Sequence, residues 1–162
     1  MNQMAVCVWM DGKIKEAAEF YASVFKDTEI MRKTQYNEEG QEITNRAAGE
    51  DMTVEMKING MNFLFLNGGP QFKPNEAMSV MVYCDTQEDI DYHFEKLSAV
   101  PEAEQCGWLK DKYGLSWQIV PPQLDELLSS GTKQQSEAVM AAMLKMHKLN
   151  IAELQAAYDS VK

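Results

Sequence analysis

Apolar and polar positions follow one another in short blocks, and the period of each block predicts an element. Ala5 to Met10 is a short apolar run broken by Asp11-Gly12, after which Ile14, Ala17, Ala18, Tyr21, Val24 and Phe25 share one face at helical spacing. These spacings predict a strand, a turn and a helix. Glu29 to Tyr36 alternates with Ile30, Arg32, Thr34 and Tyr36 on one side and reads as a strand, and the polar, glycine-containing stretch Asn37 to Asp51 reads as a mobile loop. Met52, Val54, Met56 and Ile58 then alternate against Thr53, Glu55 and Lys57, and Asn59-Gly60 leads straight into Met61 to Leu66. A two-residue type I′ turn needs positive φ at both positions, which Asn and Gly tolerate best, so the dipeptide predicts a hairpin.

Gly68-Gly69-Pro70 through Pro74 reads as a linker, and the pattern then begins again. Met78 to Cys84 is a second apolar strand, Thr86 and Asp89 have capping-box spacing, and Ile90, Phe94 and Leu97 line a helix face. An apolar strand runs into Asp85 as one runs into Asp11, and a phenylalanine follows nine residues later in both, at Phe94 and Phe20. A glycine-containing turn at Lys112-Tyr113-Gly114 introduces a last strand, Leu115 to Val120. The chain therefore reads as two fused copies of one strand-helix-hairpin module. Ser98 to Gln105 is too short and polar to supply every strand of the second copy, so that copy is expected to lack one or to carry it reduced.

Beyond Pro121-Pro122 the spacing is helical throughout: Leu124, Leu127 and Leu128, then Val139, Met140, Met143 and Leu144, then Ile151, Leu154 and Tyr158, with Asn150 and Glu153 starting the last helix. The fold class is α+β, with module one at 1–70, module two at 75–121 and a helical tail at 122–162, all in one domain. A chain of 162 residues is long enough for one real core, burying roughly two-thirds of its unfolded surface.

Composition narrows the partners. A formal net charge of −10, with fifteen Lys and Arg and no basic block, disfavours nucleic acid and anionic membrane surfaces. No run of eighteen apolar residues and no secretory pattern occurs, so a cytoplasmic location is expected. Cys7, Cys84 and Cys106 are odd in number and widely spaced, which suggests reduced thiols, the first two in core strands, rather than disulfides or a zinc knuckle.

Trp9-Met10-Asp11-Gly12, Ala17-Ala18-Glu19-Phe20-Tyr21, Leu66-Asn67-Gly68-Gly69-Pro70, Cys106-Gly107-Trp108-Leu109-Lys110-Asp111 and Tyr113 through Pro121 resemble the PhnB-like branch of the vicinal-oxygen-chelate superfamily. That superfamily takes in glyoxalases, extradiol dioxygenases and bleomycin-resistance proteins. The resemblance implies two tandem βαβββ-type modules forming a cupped mixed sheet, and a homodimer that completes small-molecule pockets. The branch often carries the label 3-demethylubiquinone-9 3-methyltransferase. Methyl transfer on a Rossmann-type fold would place a glycine-rich loop after the first strand, where Gly12 stands alone.

Catalytic relatives hold a divalent metal through His, Glu or Gln on the first, fourth, fifth and eighth strands, so the resemblance also offers a glyoxalase- or dioxygenase-like metal enzyme as an alternative. Ala5 to Met10 and Phe63 to Leu66 carry no His, Asp or Glu, and Ser79 to Cys84 offers only Ser, Tyr and Cys. Gln118, four residues after Gly114, falls where the family places its last ligand. One amide does not hold a metal, and His93 and His147 fall in helices, so neither metal nor cofactor is expected.

The candidate ligand-binding residues are Gln118, Trp108, Cys106, Asn67 and Trp9. Gln118 interrupts an apolar strand, where its amide either meets a ligand or bonds to neighbouring backbone. Trp108, Cys106 and Trp117 cluster about the last hairpin; aromatic walls with one polar group are pocket-like, whereas Trp117 reads as core. Asn67 either faces a pocket mouth or shapes the turn before two glycines. Trp9 either lines a pocket or bridges to the helix, and Asp11 reads as the cap of that helix. Met140 and Met143 read as core or dimer packing, and Cys106 is a nucleophile only if a cation such as Lys110 activates it, no His-Cys pair being evident. No catalytic residue is assigned, and the reading is a metal-independent protein that binds a small, largely apolar or aromatic molecule.

Overall fold

The computed structural model describes residues 3–161. Its backbone divides into two compact units, Met1–Pro74 and Asn75–Lys162.

In the first unit β1 (Val6–Met10) is followed by α1 (Ile14–Val24), β2 (Thr28–Gln35), a short α2 (Glu38–Thr44), β3 (Asp51–Ile58) and β4 (Met61–Asn67). The sheet runs β1-β4-β3-β2, with β1 parallel to β4 and the other pairs antiparallel. Parallel pairing of β1 with β4 is what a helical crossover allows, and α1 supplies it while covering one face. Ile14, Ala17, Ala18, Tyr21 and Val24 of α1 are buried, as are Val8, Met10, Val54, Met56, Phe63 and Phe65 of the sheet. Tyr21 and Phe65 stack with centroids 5.4 Å apart. The hairpin forms as expected: Asn59 and Gly60 have φ of 45° and 82°, and Ile58 pairs with Met61.

The second unit contains β5 (Ser79–Tyr83), α3 (Gln87–Leu97), a 3₁₀ turn (Pro101–Ala103), β6 (Trp108–Lys110) and β7 (Ser116–Val120). Its sheet runs β5-β7-β6, again with the first strand parallel to the last. The copy is thus β1-α1-β3-β4 repeated without a β2: the stretch Ser98 to Gln105 that was too short for a strand is spent on the 3₁₀ turn. Thr86 caps α3 by accepting from Asp89 N–H, and Ile90, Phe94 and Leu97 bury against a sheet face that includes Leu109, Trp117 and Ile119.

The tail forms α4 (Pro122–Ser129), α5 (Lys133–Met143) and α6 (Ile151–Asp159). These helices build a core of their own from Leu124, Leu127, Val139, Met146, Leu149 and Leu154 around Val120 at the end of β7. Thr132 and Asn150 cap α5 and α6 through their side chains. Two main-chain bonds splice the tail to the sheet, Cys106 N–H to Met146 O and Gly107 N–H to His147 O, both at 2.8 Å. A Cβ on Gly107 would lie 2.7 Å from Ile119 O, which is why glycine stands there.

Several expectations need correction. The loop from Asn37 to Asp51 contains α2, whose first-turn Glu38 and Glu39 suit the helix dipole. It has no apolar stripe to betray it, and Ile43 is exposed. Asp11 does not cap α1. Gly12 and Lys13 both have positive φ, Lys13 takes the cap position without a side-chain bond, and Asp11 instead pairs with Arg46. Cys7 is exposed, because it alternates with the buried Val8 and so takes the sheet face opposite α1. His147 lies in the turn between α5 and α6, where its Nδ1 meets Glu104 O at 2.8 Å. Met140 is exposed in the single chain, so of the two readings, core or dimer packing, the core one fails for it, while Met143 is partly buried against the tail cluster. No helix among the described residues is long and apolar enough to cross a membrane.

Candidate functional site

Each sheet has one face taken by the helix of its own module and one that is not, and the polar and aromatic residues of interest collect on the second. Strand register fixes which side chains are neighbours there, because directly paired residues point the same way.

In the first unit Cys7, Leu64, Glu55 and Arg32 form one cross-strand row, and Trp9, Leu66, Thr53 and Thr34 the next. Arg32 pairs with Glu55 through its guanidinium. A cavity of about 290 Å³ opens by the first row, among Met4, Arg32, Glu55, Asn62 and Leu64. Trp9 is held firmly. Its Nε1 donates to Gly69 O at 2.8 Å and Phe72 meets it edge-on at 5.0 Å. A Cβ on Gly68 would lie 2.3 Å from the indole, so the ring needs a glycine beneath it.

Asn67 belongs to the other face and is buried. Its Oδ1 accepts from Gly12 N–H at 2.8 Å, its Nδ2 donates to Asp51 O at 3.0 Å and Glu50 Oε1 at 3.2 Å, and its carbonyl accepts from the Tyr36 hydroxyl. Asn67 therefore ties the end of β4 to the β1–α1 turn and the start of β3. It also borders a cavity of about 390 Å³ with Gly12, Ile14, Glu50 and Asp51. Arg46 completes this clasp, bonding Asp11 at 2.6 Å and Glu50 at 3.1 Å; the hydrogen bond to Asp11 is the first cause holding its pKa above the ordinary value. Sequence reading missed Arg46, since a lone arginine in a polar stretch gives no sign of its partners.

In the second unit Met81, Gln118 and Trp108 stand side by side across the three strands, and Ser79, Ser116 and Lys110 form the adjoining row. Gln118 Nε2 donates to Ser79 Oγ at 2.8 Å. Met81 and Tyr83 are exposed and Trp108 is partly so. Trp117, one residue before Gln118, faces α3 and is 1% exposed, with its Nε1 donating to Asp111 at 2.7 Å.

Cys106 joins neither row. It sits in the turn before β6 with φ of 53°, spliced to the tail, and its sulfur accepts from Gln105 Nε2 at 3.3 Å. A Cys–His approach exists at a different thiol, between Cys84 Sγ and His93 Nδ1 at 3.6 Å. It does not make a nucleophile. A carbonyl only accepts, so the 2.8 Å contact with Asp89 O places the proton on His93 Nδ1. Burial, then the charges of Asp89 and Asp85, push the Cys84 thiol up to about 11.

The four strands that carry metal ligands in catalytic vicinal-oxygen-chelate proteins correspond to β1, β4, β5 and β7. On their helix-free faces stand Cys7, Trp9, Asn62, Leu64, Leu66, Ser79, Met81, Tyr83, Ser116 and Gln118, with neither imidazole nor carboxylate. That donor set does not fit a hard or borderline divalent cation. Nor do three His, Cys, Asp or Glu side chains gather as a metal site anywhere among the described residues.

A βαβββ unit followed by its shortened repeat, each with a parallel pair between first and last strands, defines a mixed α+β fold of the vicinal-oxygen-chelate type. Within it, the sequence profile of the 3-demethylubiquinone-9 3-methyltransferase family matches residues 2–120, and the chain belongs to that family. A PhnB protein from Bacillus cereus bearing the same methyltransferase label is 31% identical, with a TM-score of 0.60, over 74% of this chain and 99% of that one. Protein PA1353 from Pseudomonas aeruginosa shares 13% identity at a TM-score of 0.53, over 75% and 98% of the two chains. The fosfomycin resistance protein FosX from Listeria monocytogenes is 10% identical with a TM-score of 0.49, over 84% and 98%. No curated protein sequence matches the chain significantly.

Proposed function

We propose that the chain binds a small, largely apolar or aromatic molecule without a resident metal, and that Gln118 and Trp108 carry the recognition. The observation behind this reading is the Met81–Gln118–Trp108 row: one amide between a thioether and an indole, on a face where apolar side chains remain exposed. Such a surface offers an aromatic ring two apolar contacts and one directional hydrogen bond, the composition of small-molecule sites in general. In the first unit, Trp9 with Leu66 supplies a second apolar surface. Cys106 and Asn67 support these faces rather than line them, since their polar atoms are engaged within the fold. A homodimer is part of the proposal.

Ligand-observed NMR against a set of small aromatic compounds tests it. Trp108→Ala and Gln118→Ala are each expected to weaken the hits roughly tenfold, the usual effect of truncating a central contact, while Cys106→Ser leaves them unchanged. Native mass spectrometry of protein purified without chelator is expected to give a metal-free dimer. A stoichiometric metal, or binding indifferent to both truncations, overturns the reading.

A further inference from the structure

The row beside Gln118 contains an unanswered group. Ser116 is 1% exposed, and its hydroxyl has no hydrogen-bond partner among the described residues. Leaving a buried hydroxyl unpaired costs about 1–3 kcal/mol, so a buried serine on the row beside Gln118 needs a reason. Its neighbours supply one. Ser79 pairs with it across the parallel ladder and Lys110 across the antiparallel one, so a hydroxyl, a hydroxyl and an ammonium lie abreast on the face that carries Gln118.

Lys110 is paired, but with a replaceable partner. Its ammonium is held by Glu76, an exposed carboxylate just before β5, and the Lys110 side chain is only 23% exposed. The hydrogen bond from Lys110 is the first cause lowering the Glu76 pKa. Glu76 thus shows what this row accepts: a carboxylate oxygen, delivered here by the chain itself and at the rim.

Resting on the small-molecule reading above, we propose that the ligand is an aromatic or apolar acid. Its anionic oxygen group takes the Lys110 ammonium from Glu76 and accepts from Ser116 Oγ, while its ring lies along Met81, Gln118 and Trp108. The chemistry recognised is an oxyanion, carboxylate or phosphonate alike. Glu76 acts as an internal competitor, so the empty site keeps Lys110 paired.

A matched set of aromatic carboxylates and their primary alcohols, such as 2-naphthoate and 2-naphthalenemethanol, separates this idea from the one it rests on. Acids are expected to bind roughly tenfold tighter than their alcohols, the margin of one charge-assisted hydrogen bond. Lys110→Gln should erase that margin and leave alcohol binding intact, and Glu76→Gln should tighten the acids alone by a few fold. Ser116→Ala should weaken the acids while leaving the free protein at least as heat-stable, since it removes an unpaired buried hydroxyl. If alcohols and acids bind equally, or the preference survives both Lys110→Gln and Ser116→Ala, the acid proposal falls and the small-molecule reading stands. If neither series binds, both fall.

Discussion

Asp111 and Trp117 meet in the interior of the second unit: each is 1% exposed, and the indole Nε1 donates to Asp111 Oδ2 at 2.7 Å. The other carboxylate oxygen accepts from Tyr113 N–H at 2.8 Å and Leu115 N–H at 3.0 Å, so a single side chain closes the β6–β7 turn and fixes the core tryptophan. A buried carboxylate survives only when its lone pairs are used, and here three donors use them.

Asp111→Asn keeps the shape but turns one acceptor into a donor. Whichever way the amide is placed, an N–H faces either the indole or the two turn amides. Urea unfolding should show a loss of about 2–4 kcal/mol, the range for breaking a buried charged hydrogen-bond set. In Asp111→Asn with Trp117→Phe the conflict with the indole is gone, so the double variant should lose less than the sum of the singles. Strict additivity would mean that the indole contact contributes nothing.

The clasp around Asn67 invites a comparison of magnitudes. Asn67→Ala strands Gly12 N–H and Asp51 C=O at a part-buried position, an expected loss of about 1–2 kcal/mol. Arg46→Met removes two ion pairs with partly exposed carboxylates, expected to cost under about 1 kcal/mol globally. Its effect should be local: proteolysis and amide exchange within α2 should quicken while the melting temperature barely moves. A large fall in melting temperature for Arg46→Met would show that the ion pairs, not the amide, hold the clasp.

Gly68 is where the Trp9 seat can be tested. With a Cβ 2.3 Å from the ring, Gly68→Ala must displace the indole and break its bond to Gly69 O. The expected destabilisation is about 1–3 kcal/mol, as for overpacking generally. Trp9→Ala in the same background should recover part of it, and an unshifted tryptophan emission in Gly68→Ala would contradict the displacement.

Where a signal is local the sequence shows it. Asn59-Gly60 dictates its own φ angles, and Thr86 and Asn150 carry their cap partners three residues ahead, so these were legible. The repeat was legible too, down to its reduced second copy, because Ser98 to Gln105 lacks the alternation a strand needs. What stayed hidden depends on partners distant in the chain. Asp11 looks like a cap until Arg46, thirty-five residues on, is brought to it. Cys7 looks like core because an apolar strand does not say which of its faces a helix will cover. Of the candidate residues, Gln118 and Trp108 fall together on one row, a pairing set by the β6–β7 register, which the strand sequences alone do not give. Ser116 lies two residues before Gln118 and so shares its face, but the burial of its hydroxyl depends on packing that the strand's own sequence does not show.

Cys84 gives the fold a pH signature. A thiol of ordinary pKa 9.0 in the unfolded chain and about 11 in the folded one binds its proton more tightly when folded. Below the lower value both states are protonated and the group contributes its full stability; above it the unfolded state loses the proton first and stability falls until the folded thiol also ionises. The slope approaches about 1.4 kcal/mol per pH unit between the two values, the worth of one proton. Partial desolvation on its sheet face raises the Cys7 pKa as well, so that thiol, though exposed, adds in the same direction. Urea unfolding from pH 8 to 11 should therefore show a shallower decline in Cys84→Ala than in the parent. Thiol titration at pH 8 should agree, with Cys7 and Cys106 modified while Cys84 waits for unfolding. A Cys84 that reacts as fast as Cys7 in the native protein, or an alkaline slope unchanged in Cys84→Ala, would mean that the thiol is not held protonated by its burial beside Asp89 and Asp85.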